Sequence, residues 1–174
     1  MQFSSKDVAY RSQAPISTMK KPPELQKSGT LQLSAEELIE RYAAGERDFR
    51  GIDLNNQVLE GVNLTGANLR RAKLHGIQLK GANLTGIKLR KADLRQVDLT
   101  GANLCGADLS GASLHQVNLQ DANLRGVDLS DANLSETSLS GADLGGAILP
   151  DGSILLTSKL SSRLCLSKNK GQSP

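Results

Sequence analysis

Two histidines are the side chains of this sequence best suited to bind a metal ion or to act as a general base. His75 and His115 each follow a leucine and lie 40 positions apart. The sequence repeats in register every twenty residues, and we expect each repeat to form one coil of a stacked rod. Both histidines then occupy the same column of the rod, two coils apart, with Arg95 between them. Two coil spacings are about 10 Å, too far for both rings to reach one metal ion. The spacing therefore predicts two solvated surface histidines and no metal site.

The two cysteines are no better candidates for chemistry. Cys105 lies at an outward position with no base beside it, so we expect an ordinary surface thiol and not a nucleophile. Cys165 follows sixty residues later, outside the spacing of a zinc site or a disulfide framework. This cysteine usage fits a reducing cytoplasm. There is no apolar signal segment near the start and no run of 18 apolar residues, so we expect a soluble, cytoplasmic protein without a membrane segment.

Acidic and amide residues precede many of the leucines, as at Asn83, Asp93 and Asp98. Such a row of oxygen atoms is compatible with a calcium site or a pair of catalytic carboxylates. Asx side chains in turns, however, bond to nearby backbone N–H groups, which explains their presence in every coil without any chemistry. The sequence has no phosphate-binding loop and no Ser/His/Asp arrangement. We predict no catalytic residue, no cofactor and no enzymatic activity.

A leucine recurs every five residues without interruption from Leu54 to Leu149, and Phe49 extends the series to 21 units. These residues are the centres of the five-residue units. A small or β-branched residue stands two positions before most centres, and a glycine often stands two positions after. A period of five fits neither the 3.6 residues of a helical turn nor the alternation of a strand. It predicts a chain that turns a corner every five residues, with glycine supplying the positive φ of the corner.

A second period of twenty residues sets the size of the coil. Positions 66, 86, 106, 126 and 146 are all glycine, and positions 82, 102, 122 and 142 are all alanine. Stacked positions resemble each other in this way if one coil contains four units. At about 4.8 Å per coil, five coils form a rod about 25 Å long. Its interior is predicted to be a dry column of leucine and alanine with no room for a ligand.

The units at 82–86, 107–111 and 122–126 read Ala-Asn-Leu-Thr-Gly, Ala-Asp-Leu-Ser-Gly and Ala-Asn-Leu-Arg-Gly. They closely resemble the pentapeptide-repeat family, and the resemblance covers about 60% of the chain. It implies an all-β fold, a right-handed quadrilateral parallel β-helix, and it supplies the handedness that spacing alone does not fix. The segment from Glu40 to Phe49 is also similar to the end of the short helix that cyanobacterial members carry before the coil.

The segment before the repeat is suited to cover the open N-terminal edge of the rod. Ser34 and Glu37 form a capping box, and Gly45 ends the helical pattern. We predict a capping-helix region at 31–46, preceded at 1–30 by a disordered arm that is rich in polar residues and proline. The expected apolar side of the helix comprises Leu38, Ile39, Tyr42 and Ala43.

The five-residue leucine pattern is lost after Leu149, so the β-helix is predicted to span 47–154. Ile154 fits the centre of one more unit, but Lys159 at the next centre cannot be buried cheaply. Residues 155–174 are predicted to form a C-terminal cap and a basic tail. Two alternatives stay open for the apolar residues of this segment: they cover the C-terminal edge, or they join two rods into a homodimer, as members of the resembled family do. These residues are Leu155, Leu156, Leu160 and Leu164.

One side of the rod changes the sign of its charge along the axis. The side that contains Leu69, Leu89 and Leu109 begins with basic coils and ends with acidic ones. Like charges stacked about 5 Å apart repel, so such a cluster either contacts an acidic partner or is a solvated face. The candidate partner-binding residues are Arg70, Arg71, Lys88, Arg90 and Lys91, joined at the rim by Arg47 and Arg50, and the acidic residues are Asp108, Asp128, Asp131 and Asp151.

These features predict a non-enzymatic scaffold that binds an unidentified partner protein, with a regulatory role as one form of that function. The alternative is a DNA-mimic modulator of a type II topoisomerase (gyrase), because some members of the resembled family imitate duplex DNA. The basic first coils disfavour it, as do leucine centres where those members often use phenylalanine. Direct nucleic-acid binding is disfavoured further, since the rod offers no aromatic residue for base stacking.

Overall fold

The computed structural model describes residues 31–156 of the chain. Residues 48–148 form a parallel β-helix in which each unit contributes a single residue to β-pairing. That residue precedes the central leucine and bridges the residue twenty positions later, as Asp53 does with Lys73 and Lys73 with Asp93. One coil therefore contains four units, and the pairing segments stay one residue long because the chain turns after every fifth residue.

Backbone hydrogen bonds join neighbouring coils in a regular ladder. The N–H of Leu54 donates to the carbonyl of Lys73 at 2.9 Å, and the N–H of Lys73 donates to the carbonyl of Ile52 at 2.8 Å. The corner N–H of Gly76 likewise donates to the carbonyl of Arg95 at 3.0 Å. This ladder satisfies backbone groups inside the rod and fixes equivalent positions of successive coils above one another.

The core is a column of leucine side chains flanked by small aliphatic ones. The centres from Phe49 to Leu134 are buried, and the buried side chains within 31–156 include none that is polar or charged. Near the C-terminal end, Leu139 and Leu149 are only half-buried. The predicted aliphatic core is thus confirmed for the described residues, with Phe49 at its N-terminal end, and it loosens where the last coil has no complete coil above it.

Every corner position from Gly51 to Gly146 adopts the left-handed conformation, with φ between 56° and 75°. The predicted positive φ of the corners is therefore confirmed. Glycine takes this φ freely, but eight corners carry a residue with a side chain, so the coil imposes the conformation even without glycine. These eight residues are Asn56, Arg71, Lys91, Gln96, Gln116, Asp121, Asp131 and Glu136.

Substitution of Gly106 by alanine is expected to lower the free energy of unfolding by about 1 kcal/mol. Gly106 has φ +65°, and a Cβ atom added there meets no atom within 4 Å, so the loss comes from backbone conformation alone. Denaturant unfolding followed by circular dichroism measures it. The matched control is Asp131→Gly, at a corner with φ 58°, which is expected to keep or raise stability. An equal loss in both variants would contradict this explanation.

Helix α1 spans Ala35–Ala43 and precedes the first coil. Its N-cap is Ser34, whose side-chain oxygen accepts a hydrogen bond from the N–H of Glu37 at 3.2 Å. This bond satisfies one of the free N–H groups of the first turn, as the sequence predicts for this position. The N–H of Ala35 donates to Oε1 of Gln57 at 3.2 Å, which attaches the start of α1 to the first coil.

The buried side of α1 is narrower than the sequence pattern predicts. Leu38 is fully buried and Tyr42 is partly buried against the core, and the Tyr42 hydroxyl donates to the carbonyl of Thr65 at 2.8 Å. Ile39, however, is 44% exposed, and Ala43 is exposed. The prediction that these two residues lie on the buried side was wrong, because only one stripe of the helix contacts the rod.

The chain reverses direction after the last full unit. The N–H of Leu149 donates to the carbonyl of Ser153 at 2.8 Å, and Ile154 pairs with Ile148 in antiparallel orientation. Ile154 is 59% exposed, so the prediction that it centres a further unit was wrong. The turn after Leu149 takes the place of the next corner and folds the chain back onto the last coil.

Residue Leu155 packs against the core, whereas Leu156 is 90% exposed. The predicted arm at 1–30 and the residues after 156, including Lys159, Leu160, Leu164 and Cys165, lie outside the described residues. Within 31–156, no helix has the length and the apolar character needed to cross a membrane.

Candidate functional site

The two histidines occupy equivalent positions two coils apart, each one residue before a corner, and make separate contacts. Nδ1 of His115 lies 2.8 Å from Oγ of Ser135. Arg95, between them in the column, donates to Asp93 at 2.7 and 2.6 Å. Nδ1 of His75 is buried and has no hydrogen-bond partner. His75 as a whole is half-buried, so the prediction of a solvated surface histidine was wrong for this ring atom.

The side chains of the acidic and amide residues before the leucines accept hydrogen bonds from the backbone N–H two positions later, next to the corner of the same unit. Oδ1 of Asp98 accepts the N–H of Thr100 at 2.9 Å, and Oδ1 of Asn103 accepts the N–H of Cys105 at 3.2 Å. The predicted local Asx contacts are confirmed. Cys105 itself is a half-buried free thiol. Among residues 31–156, no three His, Cys, Asp or Glu side chains are arranged to hold a metal ion.

The charged side of the rod contains an open groove of about 780 Å³. Most of its lining comes from the two positions after the central residue in three successive coils, so its side chains are stacked at about 4.8 Å per coil. Four of the five predicted partner-binding residues line it. Lys88 lies in the adjacent column, whose residues form the β-bridges between coils. The lining residues are Asp48, Arg50, Gly51, Arg70, Arg71, Arg90 and Lys91, and we call this surface the basic groove.

Two arginines of the basic groove have carboxylate partners that were not predicted from the sequence. Nη2 of Arg50 lies 2.7 Å from Oδ2 of Asp48, and Nη2 of Arg70 lies 3.6 Å from Oδ2 of Asp108. The side-chain hydrogen bond from Arg50 holds the pKa of Asp48 below its ordinary value. Burial raises the pKa of Asp108, but the hydrogen bonds from the following serine and the charges of Arg70 and Arg90 outweigh it. Both carboxylates are therefore ionised at neutral pH.

Three cations of the basic groove remain without such a partner. Arg71, Arg90 and Lys91 are exposed and form no ion pair within 4.0 Å in the described part of the chain. The stem of Lys91 extends towards the next coil, where Gly111 leaves space for it: a Cβ atom there would lie 3.4 Å from Cγ of Lys91. An incoming anion can therefore reach these three cations without breaking an ion pair.

Arg47 does not belong to the basic groove. Its guanidinium lies over the ring of Tyr42, 3.7 Å from the ring centre. Its Nη1 donates to the carbonyls of Tyr42 at 2.7 Å and Glu46 at 2.8 Å. A cation at this place stabilises carbonyl groups at and just after the end of α1. The prediction that Arg47 joins the basic rim was wrong, because its side chain turns to the helix instead.

The same side of the rod becomes acidic beyond the basic groove. Asp108 and Asp128 bridge each other in one column, and each accepts the hydroxyl of the serine two positions later at 2.6 Å. Further along, Asp131 is an exposed corner residue and Asp151 is an exposed residue of the turn after Leu149. The groove therefore extends over only three coils and is bounded at its C-terminal end by carboxylates.

Comparisons with known proteins agree with this architecture. The family model described as pentapeptide repeats matches residues 48–86, 87–126 and 112–150 in eight copies. A pentapeptide repeat protein from the thylakoid lumen of Arabidopsis thaliana is 35% identical, over 57% of this chain and 70% of that one, with a TM-score of 0.54. A pentapeptide repeat protein from Nostoc PCC 7120 is 37% identical, over 66% of this chain and 78% of that one, with a TM-score of 0.42.

A more distant similarity is to QnrB1, a plasmid-mediated fluoroquinolone resistance protein. It is 20% identical over 60% of this chain and 61% of that one, with a TM-score of 0.32. An identity and a TM-score this low carry no inference about function. Among curated proteins nothing matches. The matches that were found indicate a repeat scaffold and point to no catalytic family.

Proposed function

This chain belongs to the pentapeptide-repeat family, and we propose that it is a non-enzymatic cytoplasmic scaffold that binds a partner protein through its basic groove. The contacts proposed are Arg70, Arg71, Lys88, Arg90 and Lys91, with the three unpaired cations contributing most. The rod supplies a rigid platform, because its backbone ladder and its dry core fix the spacing of every outward side chain. Such a scaffold suits a regulatory role in which the rod holds a partner without altering it chemically.

The observation that carries this proposal is the set of unpaired cations. Arg71, Arg90 and Lys91 lie on neighbouring coils, where their mutual repulsion lowers stability. Within the described residues, Arg50 and Arg70 form ion pairs with carboxylates, whereas these three cations form none within 4.0 Å, and Asp108 acts on Arg90 only from a longer distance. A protein surface that carries carboxylates would remove this repulsion, and charged pairs of this kind increase the association rate and the specificity of a complex.

The two ends of the rod have separate roles in this proposal. We propose a right-handed quadrilateral coil at 47–154 with the region 31–46 as its N-terminal cap. At the C-terminal end, the N–H groups of Leu134, Leu139 and Leu144 have no backbone acceptor among the described residues. Either residues after Leu156 or a second copy of the chain would cover this edge. Light scattering distinguishes the monomer from the homodimer.

A DNA-mimic modulator of a type II topoisomerase is the second candidate. Such a mimic requires an acidic rod surface, and the charged side of this rod becomes acidic only beyond the basic groove, from Asp108 onwards. The basic groove would repel a surface that binds DNA. A supercoiling assay with gyrase tests this candidate, and we expect no inhibition.

Charge reversal in the basic groove is expected to abolish capture of the partner. In affinity purification from a lysate of the source organism, the variant Arg71→Glu/Arg90→Glu/Lys91→Glu should recover the partner at least about tenfold less than the wild-type chain. Mass spectrometry with quantification measures the loss. Capture by the wild-type chain should also weaken as salt is raised, since exposed charges are screened.

The matched control reverses three cations outside the basic groove. Lys80→Glu/Arg95→Glu/Arg125→Glu changes the net charge by the same amount, and all three side chains are exposed. This variant should retain the partner. Equal recovery by the wild-type chain and the groove variant would overturn the proposal, and equal loss in both variants would show that net charge alone matters.

A further inference from the structure

We infer that the segment accepted by the basic groove is a short α-helix with a stripe of carboxylates, lying along the axis of the rod. This inference rests on the proposed function, because it names the kind of partner for the same surface. It follows from three properties of the basic groove: the spacing of its cations, its length and the number of its charged columns.

The spacing of the cations favours a helix over an extended strand. Arg50, Arg70 and Arg90 occupy the same position in three successive coils, which rise by about 4.8 Å each. Carboxylates on one side of an α-helix rise by about 5.4 Å per turn, whereas those on one side of a strand rise by about 6.7 Å. Over two steps the mismatch is about 1 Å for the helix and about 4 Å for the strand. The smaller mismatch lets each cation meet a carboxylate without bending along the axis of the rod, whereas the larger one requires a bend of the kind that Arg70 makes towards Asp108.

The length of the basic groove favours a short segment over a long polyanion. From Arg50 to Arg90 the cations extend over about 10 Å, which corresponds to two helical turns, or about seven residues. Beyond this distance an incoming chain meets Asp108, Asp128 and Asp131. A nucleic-acid duplex carries phosphates along its whole length, so it would be repelled there. A protein helix can present carboxylates over two turns and then neutral or basic side chains.

The width of the basic groove matches the width of a helical stripe. Arg70 and Arg90 occupy one column, and Arg71 and Lys91 occupy the next position along the chain. A stripe of carboxylates at positions i, i+3, i+4 and i+7 of a helix is likewise two residues wide. Arg71, Arg90 and Lys91 can therefore each meet a carboxylate of the helix, and Arg70 can do so by exchanging Asp108 for it, which a single row of charges on a strand does not allow.

Synthetic peptides of equal length and equal glutamate content test this inference directly on the full chain. The first is an alanine-rich helical peptide with glutamates at i, i+3, i+4 and i+7. The second has the same residues with the glutamates spread around the helix. The third is a threonine- and valine-rich strand-forming peptide with glutamate at every second position. A twelve-base-pair DNA duplex serves as the polyanion probe. Circular dichroism verifies the helicity of the first two peptides, and fluorescence anisotropy measures binding.

The striped helix is expected to bind at least about fivefold more tightly than the other three probes. Its affinity should fall at least about tenfold in Arg71→Glu/Arg90→Glu/Lys91→Glu and remain unchanged in Lys80→Glu/Arg95→Glu/Arg125→Glu. Equal affinity for striped and spread glutamates would overturn the inference, as would tighter binding of the strand peptide or of the duplex.

Failure of this inference is distinguishable from failure of the proposed function. If the groove variant loses the cellular partner while the peptides bind alike, the interaction surface stands and the helical partner is wrong. If the groove variant captures the cellular partner as the wild-type chain does, the proposed function itself is wrong.

Discussion

Replacement of Leu104 by alanine is expected to lower the free energy of unfolding by about 3 kcal/mol. The Leu104 side chain is fully buried, and in its column the leucines of the coils below and above, Leu84 and Leu124, pack on either side. Removal of its methyl groups leaves a cavity that the neighbouring coils cannot close, because backbone hydrogen bonds fix the coil spacing. Chemical denaturation followed by circular dichroism measures the change.

The matched control for this substitution is Leu156→Ala, at a leucine that is 90% exposed. Both variants remove the same atoms, but only the first opens a cavity. The control should change the free energy of unfolding by less than about 0.5 kcal/mol. A loss below about 1 kcal/mol for Leu104→Ala would mean that the column relaxes around the missing side chain, contrary to the rigid packing described above.

The regular part of the fold was predictable because one backbone geometry repeats at every unit. Each five-residue unit packs against equivalent neighbours. Leu84, Leu104 and Leu124 therefore have the same buried environment, and the sequence repeats the same residue at these positions. The period of twenty then places every outward residue in a column. Even the corners without glycine, such as Gln96, follow the glycine corners in φ, because the stacked coils on both sides impose it.

The ends of the rod were less predictable because they lack this repetition. Ile154 has the spacing of a further centre, but no coil lies above it, and the turn after Leu149 pairs it with Ile148 instead. Similarly, Ile39 has the spacing of a buried helical residue, but the width of the open column decides which stripe of α1 is covered. Both outcomes depend on tertiary contacts that occur only once.

The candidate site was predictable in its location and less so in its ion pairs. Column assignment placed Arg70, Arg71, Arg90 and Lys91 on one side, where they line the basic groove. The pair of Arg50 with Asp48 had a signal in the sequence, since an aspartate two positions before an arginine recurs at 93 and 95 and also forms an ion pair. The contact of Arg70 with Asp108 had none, because a long side chain selects its partner only in three dimensions.

Replacement of Leu38 by aspartate is expected to detach α1 and to lower the free energy of unfolding by about 3 kcal/mol. Leu38 is fully buried on the open end of the leucine column, where a carboxylate would lose its water. Once α1 leaves, the N-terminal edge of the first coil is exposed and can pair with another chain. The variant should therefore also associate, which light scattering detects.

The matched control is Ile39→Asp, at the next residue of the same helix. Ile39 is 44% exposed, so an aspartate there keeps its water and should cost less than about 0.5 kcal/mol. Both variants introduce the same residue into the same helix, and helix propensity therefore cannot account for a difference between them. If Leu38→Asp stayed as stable and as monomeric as Ile39→Asp, α1 would not be a cap. A large difference would instead mean that burial of Leu38 is the main apolar contribution that holds α1 on the rod, since Leu38 is the one large side chain of α1 that is fully buried.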